Sequence, residues 1–263
     1  MGRQGVRVRV TGRCEERGRA VVQQLRAAGN PSCTFIRADL STVAGVRSLA
    51  QAVRSRADRL DVLVNNAGAW FENRGETQDG VERTWAVNHL APYLLTHLLW
   101  EPLAAAPAGR VVTVASDAHR GGRLDWGDLG KEAWTRRGWP AYQQSKWANI
   151  VFTRELARRL RGHRVTANCL HPGFVASRFG QGNGAAMRAA LLLSRPLQIS
   201  ARRGAATVVW AAMSPDVSGM SGEYFKRRRV ALPDPRTADP ADGRRLWELS
   251  AAQVGIDPDW PAT

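Results

Sequence analysis

The chain has 263 residues, 44% hydrophobic and 23% charged with 25 glycines, which suits one large α/β domain and excludes disorder over most of its length. No apolar run reaches the ~18–20 residues that cross a bilayer, and Met1-Gly2-Arg3-Gln4-Gly5 lacks a signal peptide's apolar core. The net charge of +15 comes from scattered arginines, with Lys226-Arg227-Arg228-Arg229 the one four-residue basic run, so a nucleic-acid groove stays a minor alternative to a solvated basic surface.

Short apolar runs alternate with helical patterns, the order expected of a parallel sheet wrapped by helices. Val6 to Thr11 predicts a strand. Glu15 to Ala28 predicts a helix with Val21, Val22, Leu25 and Ala28 inward, stopped by Gly29-Asn30-Pro31. A second strand covers Cys33 to Ala38, and a helix follows over Val43 to Ala57. Asp61 to Asn65 is a third strand, ending in Asn66-Ala67-Gly68. A long helix spans Gly80 to Leu103, with a kink or break expected at Pro92. The fourth strand, Arg110 to Ser116, leads through a polar, tryptophan-bearing connection to Pro140, in the first turn of a helix running to Leu160. A fifth strand, Arg164 to Leu170, closes at His171-Pro172-Gly173. Beyond it come an apolar helix within Gly180 to Arg195, a helix over Ala201 to Ala212, a short strand over Gly222 to Phe225 and a last helix over Arg244 to Val254. No period repeats and no linker divides the chain, so residues 1–263 read as a single domain.

Three strand ends, at Asn65 to Gly68, at Ser116 and at His171-Pro172-Gly173, a helical Asn88 and one helix face carry candidate chemistry. In Tyr142-Gln143-Gln144-Ser145-Lys146 the tyrosine and lysine stand four apart, hence on one helix face. An ammonium near a phenol favours phenolate and brings a tyrosine, ordinarily near pKa 10, towards use as an acid or base. Tyr and Lys at that spacing also occur on half-exposed helices that do nothing. Lys146, however, is one of only three lysines in a chain that elsewhere favours arginine, and a guanidinium does not replace a compact ammonium. Ser116 ends a strand, where ligand crevices of open parallel sheets lie, although serine also simply forms turns. Asn65, Ala67 and Gly68 end another strand and leave room for a ligand, and Asn88 is a poor helix former inside a predicted helix. Cys14, Cys33 and Cys169 are far apart, with no C-x-x-C pair, so neither a disulfide framework nor a metal site is expected and a cytoplasmic location is.

In chain order these features run strand-N-N-A-G, Asn, strand-Ser, Y-x-x-x-K, strand-P-G. The sequence resembles the short-chain dehydrogenase/reductase family, in its retinol-dehydrogenase-like branch, from about Val8 to Val254. The specific stretches are Leu60 to Gly68, Val87 to Leu90, Tyr142 to Lys146 and Phe152 to Leu160. The resemblance implies a Rossmann-like doubly wound parallel sheet and NAD(P)-dependent carbonyl reduction or alcohol oxidation. It implies that Tyr142 exchanges the proton, Lys146 binds the nicotinamide ribose, Ser116 orients the substrate oxygen and Asn88 supports a proton relay. It places Asp39 and Leu40 beside the adenine, Asn65, Ala67 and Gly68 along the ribose side, and Pro172, Gly173 and Ser177 at the carboxamide and pyrophosphate. Arg13 ends a strand where the family receives the 2′-phosphate of NADP, so NADP is expected ahead of NAD.

One part of the family pattern is missing. The family opens with a strand and T-G-x-x-x-G-x-G, whereas this chain offers Thr11-Gly12-Arg13-Cys14-Glu15-Glu16-Arg17-Gly18, with an acid where glycine is needed. The interval from Gly12 to Asn65 is one βα unit short, so Val8 to Ala20 matches the family's second strand and the first, central strand is expected to be absent. Three explanations stand: a start assigned late in a longer gene, a degenerate homologue, or Val6 to Thr11 moving into the vacant centre. The expected partner is a small-molecule alcohol or carbonyl compound of lipophilic character. Trp70, Phe71, Trp126, Trp134, Trp139 and the segment Met187 to Leu193 are candidates for the pocket wall. A homo-oligomer is compatible with the sequence, and a non-catalytic binding or scaffold protein on the same fold is the rival function.

Overall fold

The computed structural model describes residues 6–73, 75–127, 129, 138–177, 179–180 and 182–261. Trp134 lies outside the described residues. Strand β1 (Arg9–Gly12), helix α1 (Glu15–Ala27), strand β2 (Thr34–Arg37) and helix α2 (Val43–Arg54) come first. After β3 (Val62–Asn65) the chain forms three short helices, α3 (Arg83–Trp85), α4 (Ala91–Leu98) and α5 (Trp100–Ala104). Strand β4 (Gly109–Val114), the long helix α6 (Gly138–Arg159), β5 (Val165–His171), α7 (Ala185–Leu193) and α8 (Ala201–Met213) follow. Strands β6 (Tyr224–Lys226) and β7 (Arg229–Val230) and helix α9 (Pro240–Val254) complete the order.

The architecture is Rossmann-like: a mostly parallel sheet with helices on both faces. Strands β3, β4, β5 and β6 run parallel, with β7 antiparallel at the edge. Alternation along the strands sorts the core. Leu63, Val111 and Val165 join α2, α4, α6 and α9 in one apolar cluster, while Val112, Val114, Leu170 and Phe225 pack with Ala211 and Ala212 of α8 in another.

The sheet is divided. Strands β1 and β2 pair in parallel with each other and form a separate two-stranded sheet, so among the described residues β1 and β3 each have one ladder partner. Of the three explanations given above, movement of the first strand into the centre is not what the chain does. Apolar packing keeps the pair in place: Ile36 and Ala38 share the cluster of Val46, Leu49 and Leu63. Helix α1 closes on β2 through Gly18, where a Cβ would come within 2.3 Å of the Phe35 ring, so this glycine serves packing and not a phosphate turn.

The long helix expected over 80–103 is interrupted for visible reasons. The Glu82 carboxylate accepts the N–H groups of Thr84 and Trp85 and starts α3 there. A π turn, Ala86–Leu90, separates α3 from α4. Pro92 does not break the chain of turns, because it falls at the start of α4, where its missing N–H costs nothing; the interruption comes at Leu99. Among the described residues no helix is long and apolar enough to cross a membrane.

A two-stranded sheet is marginal alone. In native-state hydrogen exchange the amides of β1 and β2 are expected to exchange at least ~100-fold faster than those of β4 and β5, about 3 kcal/mol less protection. Equal protection of both sheets would show that the division does not divide stability.

Candidate active site

The carboxyl ends of β3, β4 and β5 face one region, and α6 crosses it. Helix α6 is buried along most of its length, which sets Tyr142 and Lys146 on its sheet-facing side. Lys146 is 3% exposed and its Nζ donates to the Val114 carbonyl at 2.8 Å, fastening the helix to the last residue of β4. Burial lowers its pKa to about 8. Tyr142 is buried and hydrogen-bonded to the Ser116 side chain; burial raises its pKa to about 12, and the Ser116 bond pulls the other way. This differs from the expectation that Lys146 depresses the tyrosine. The ammonium is committed to a main-chain carbonyl and lies 5.6 Å from the Tyr142 ring centroid, and burial of the phenol outweighs it. In this state Tyr142 holds its proton across the neutral range and is a donor.

Asn88 sits in the π turn and is fully buried. Its Oδ1 accepts the Ala69 N–H at 2.7 Å, and its Nδ2 donates to the Ala69 carbonyl and to Ser145 Oγ, each at 2.9 Å. The amide therefore ties the loop after β3 to α6. Gly68 lies in that loop. A Cβ there would stand 3.4 Å from Lys146 Nζ and 3.5 Å from Asn88 Oδ1, so the side-chain-free surface keeps the approach to both open. Asn65 is turned inward and donates to the Thr96 hydroxyl at 3.1 Å, while Ala67 is exposed beside it.

The remaining residues divide between two places. Pro172 and Gly173 leave the end of β5, Gly173 at φ +96° with Ile199 where a Cβ would lie, and Ser177 is exposed, its Oγ accepting from the Phe179 N–H. Arg13 and Asp39 are exposed at the ends of β1 and β2. Burial raises the Asp39 pKa, but two hydrogen bonds from Ser41 and the charge of Arg13 leave it below its ordinary value. Leu40 is half-buried against the main core.

Aromatic rings wall the tyrosine. Trp139 is 5.1 Å and Phe179 4.9 Å from Tyr142 between centroids, and Trp70 stands edge-on to Trp139 at 5.2 Å. Phe71 and Trp126 lie elsewhere, under Arg83 and Arg245. The sequence pattern did not mark Phe179, Ser145 or His119, and it marked His171 only as part of the strand-closing His171-Pro172-Gly173. Ser145 lies within the Tyr-Lys motif and His119 three residues after Ser116, so spacing was the available signal.

A nicotinamide dinucleotide can be tested against these residues end by end. The nicotinamide-ribose end fits: a buried ammonium, a phenol, a serine hydroxyl and a glycine surface converge. The diphosphate end does not. The candidate glycine turn, Thr11 to Gly18, does not supply a phosphate site: helix α1 opens there at Cys14 with no side-chain cap and carries Glu15 and Glu16 in its first turn, where carboxylates oppose phosphate.

A family model described as short chain dehydrogenase matches residues 1–187. A protein of Streptomyces sp. (strain C5) that carries the name of a daunorubicin C-13 ketoreductase is 40% identical over 255 residues, 97% of this chain and 86% of that protein. Retinol dehydrogenase 14 of Mus musculus is 39% identical over 226 residues, 83% of this chain and 66% of its own length. An uncharacterised Mycobacterium paratuberculosis protein of known structure superposes with a TM-score of 0.75 at 28% identity, covering 97% of this chain and 87% of that one. A Pseudomonas aeruginosa RhlG/NADP active-site complex gives 0.64 at 26% identity, covering 85% and 86%.

Burying Lys146 has a measurable sign. Its folded value of about 8 lies below the ordinary 10.5, so between these the unfolded chain holds more protons and stability rises with pH. From pH 7.5 to 10 the parent is expected to gain on the order of 2 kcal/mol relative to Lys146→Met in denaturant titrations. Parallel pH profiles of the two proteins would contradict the buried ammonium.

Proposed function

The chain belongs to the short-chain dehydrogenase family, and from that premise we propose that it reduces the carbonyl of a lipophilic ketone or aldehyde with NADP(H), or oxidises the corresponding alcohol. One observation carries the reading: Tyr142, Ser116, Lys146 and Asn88 converge at the carboxyl ends of the sheet. In reduction Tyr142 donates its phenolic proton to the carbonyl oxygen while Ser116 donates a hydrogen bond to the same atom. Lys146 would hold the nicotinamide ribose, with Ala67, Gly68 and the main chain of Asn65 along its side and Pro172, Gly173 and Ser177 beyond. Asn88 holds the loop that bounds this space and supports a proton relay to Lys146. The cofactor, when bound, supplies the hydride.

The aromatic wall of Trp70, Trp139 and Phe179 supports an apolar substrate, as do relatives named for ketoreduction and retinol dehydrogenation. Exposed Arg13 beside Asp39 supports NADP, since a guanidinium suits a phosphate. Three free thiols suit a cytoplasmic setting. A second reading, a binding protein that keeps the fold without turnover, is favoured by the acidic first turn of α1.

With phenanthrenequinone as a lipophilic dicarbonyl probe, Tyr142→Phe is expected to remove turnover by at least ~1,000-fold while NADPH affinity stays within about threefold. Lys146→Ala loses both, and undiminished turnover in Tyr142→Phe would refute the assignment. Arg13→Glu is expected to shift preference towards NAD, whereas equal affinity of the parent for NADP and NAD would count against Arg13.

The diphosphate end sets a further expectation. Two charge-assisted hydrogen bonds forgone, at about 1.5–3 kcal/mol each, weaken binding by roughly two to four orders of magnitude. Calorimetry of the 263-residue chain should therefore give no micromolar NADPH binding, and turnover should need high NADPH concentrations. A micromolar Kd would mean that residues 6–18 build a working diphosphate site.

A further inference from the structure

The turn after β4 holds more polar order than a strand end needs. Ser116 is extended (φ −161°, ψ 153°), and the peptide unit joining it to Asp117 is engaged at both of its polar atoms. The Ser116 carbonyl accepts from His119 Nδ1 at 2.6 Å and from the His119 main-chain N–H at 3.1 Å, and the Asp117 N–H donates to His171 Nδ1 at 3.2 Å. The two rings come from different elements, His119 from the 3₁₀ turn Asp117–Gly121 and His171 from the last residue of β5.

Each ring is held in turn. His119 is fully buried, its Nε2 accepts the Asp234 N–H at 3.0 Å, and its ring stands edge-on to Tyr224 at 5.4 Å. His171 Nε2 lies 3.5 Å from Asp117 Oδ2, and the same carboxylate accepts from the Tyr224 hydroxyl at 2.8 Å and from Lys226. The turn is also pressed against α6. A Cβ on Gly122 would come within 2.6 Å of the Gln143 carbonyl, one residue past Tyr142.

These contacts assign the tautomers. The Asp234 N–H needs a lone pair at His119 Nε2, so that ring carries its proton on Nδ1, against the Ser116 carbonyl. The Asp117 N–H needs a lone pair at His171 Nδ1, so this ring carries its proton on Nε2, towards the Asp117 carboxylate. Ser116 Oγ accepts the Ala118 N–H at 3.2 Å, which leaves the hydroxyl proton for Tyr142 or a substrate oxygen.

We propose that His119 and His171 are positioning residues that grip the Ser116–Asp117 peptide at its two polar atoms and so aim the Ser116 hydroxyl. This rests on the carbonyl-reductase reading, in which Ser116 orients the reacting oxygen. A peptide plane held at both ends fixes the Cα–Cβ direction of Ser116. Without the His171 ring the N–H end is free, and without the His119 ring the carbonyl keeps only the 3.1 Å bond from the His119 main chain; the loosened plane can turn, and displacement of a reacting group by about 1 Å costs on the order of 100-fold in rate.

The test begins with ¹⁵N imidazole spectra of the full chain at neutral pH. They should show the Nδ1–H tautomer for His119 and the Nε2–H tautomer for His171. The opposite tautomer at either ring overturns the grip at that ring, whether or not any variant folds. Tyrosine labelled with ¹³C at Cζ then reads the Ser116–Tyr142 contact, and the chain has only three tyrosines. Ser116→Ala should move the Tyr142 resonance, and His119→Phe and His171→Leu should move it in the same direction. His119→Asn and His171→Asn, which restore a donor and an acceptor at the δ position, should return it towards the parent. With phenanthrenequinone and NADPH, His119→Phe should lose kcat on the order of 100-fold with KM within about threefold, and His119→Asn should recover most of it. A Tyr142 resonance that moves in Ser116→Ala but not in His119→Phe or His171→Leu overturns the proposal. A parent with the assigned tautomers, a responsive Tyr142 and no turnover instead refutes the reductase reading and leaves the grip standing.

Discussion

The ammonium of Lys146, buried beneath the end of β4, is the constraint around which the site is arranged. A charge removed from water is costly unless polar atoms receive it, and here the Val114 carbonyl does so at 2.8 Å. That bond fixes the position of α6 along the sheet. Tyr142, one turn earlier on the same helix face, is thereby carried to Ser116, and Ser145 to Asn88. The protein's own contacts thus hold the candidate site together, with the Lys146 pKa lowered to about 8 and a Tyr142 phenol that keeps its proton.

Much of this was legible in the sequence, for a reason particular to each residue. Tyr142 and Lys146 declared themselves because helical spacing puts them on one face, and Ser116 because a strand end is where parallel sheets open. Asn88 was recognisable as misplaced in a helix, but its work on Ala69 depends on a π turn that the residue pattern of 80–103 does not mark. His119 and His171 were opaque. Each acts on main-chain atoms of the residues around Ser116, and only the closing of β5 and the 234–238 turn against β4 brings the partners together.

The divided sheet was half legible. The interval between Gly12 and Asn65 pointed to a gap in the family pattern there, but that β1 and β2 pair apart from the other strands depends on packing. Phe35 over Gly18 and Ile36 in the main core hold β1 and β2 as a pair. Apolar contact thus keeps the two sheets in one body where ladder hydrogen bonds do not. On the function proposed above the site is unequal, furnished where a nicotinamide ring and ribose would lie and without a glycine turn for a diphosphate, the Thr11 to Gly18 turn carrying Glu15 and Glu16 instead.

That inequality is the central claim, and a comparison of two ligands tests it most directly. Calorimetry of the 263-residue chain with reduced nicotinamide mononucleotide and with NADH, which lacks the 2′-phosphate assigned to Arg13, separates the nicotinamide end from the rest of the dinucleotide. If the diphosphate end contributes nothing, the two dissociation constants agree within about tenfold, a difference of ~1.4 kcal/mol or less. NADH binding more than about 1,000-fold tighter than the mononucleotide would contradict the account, since over 4 kcal/mol would then come from the half of the site described as unfit.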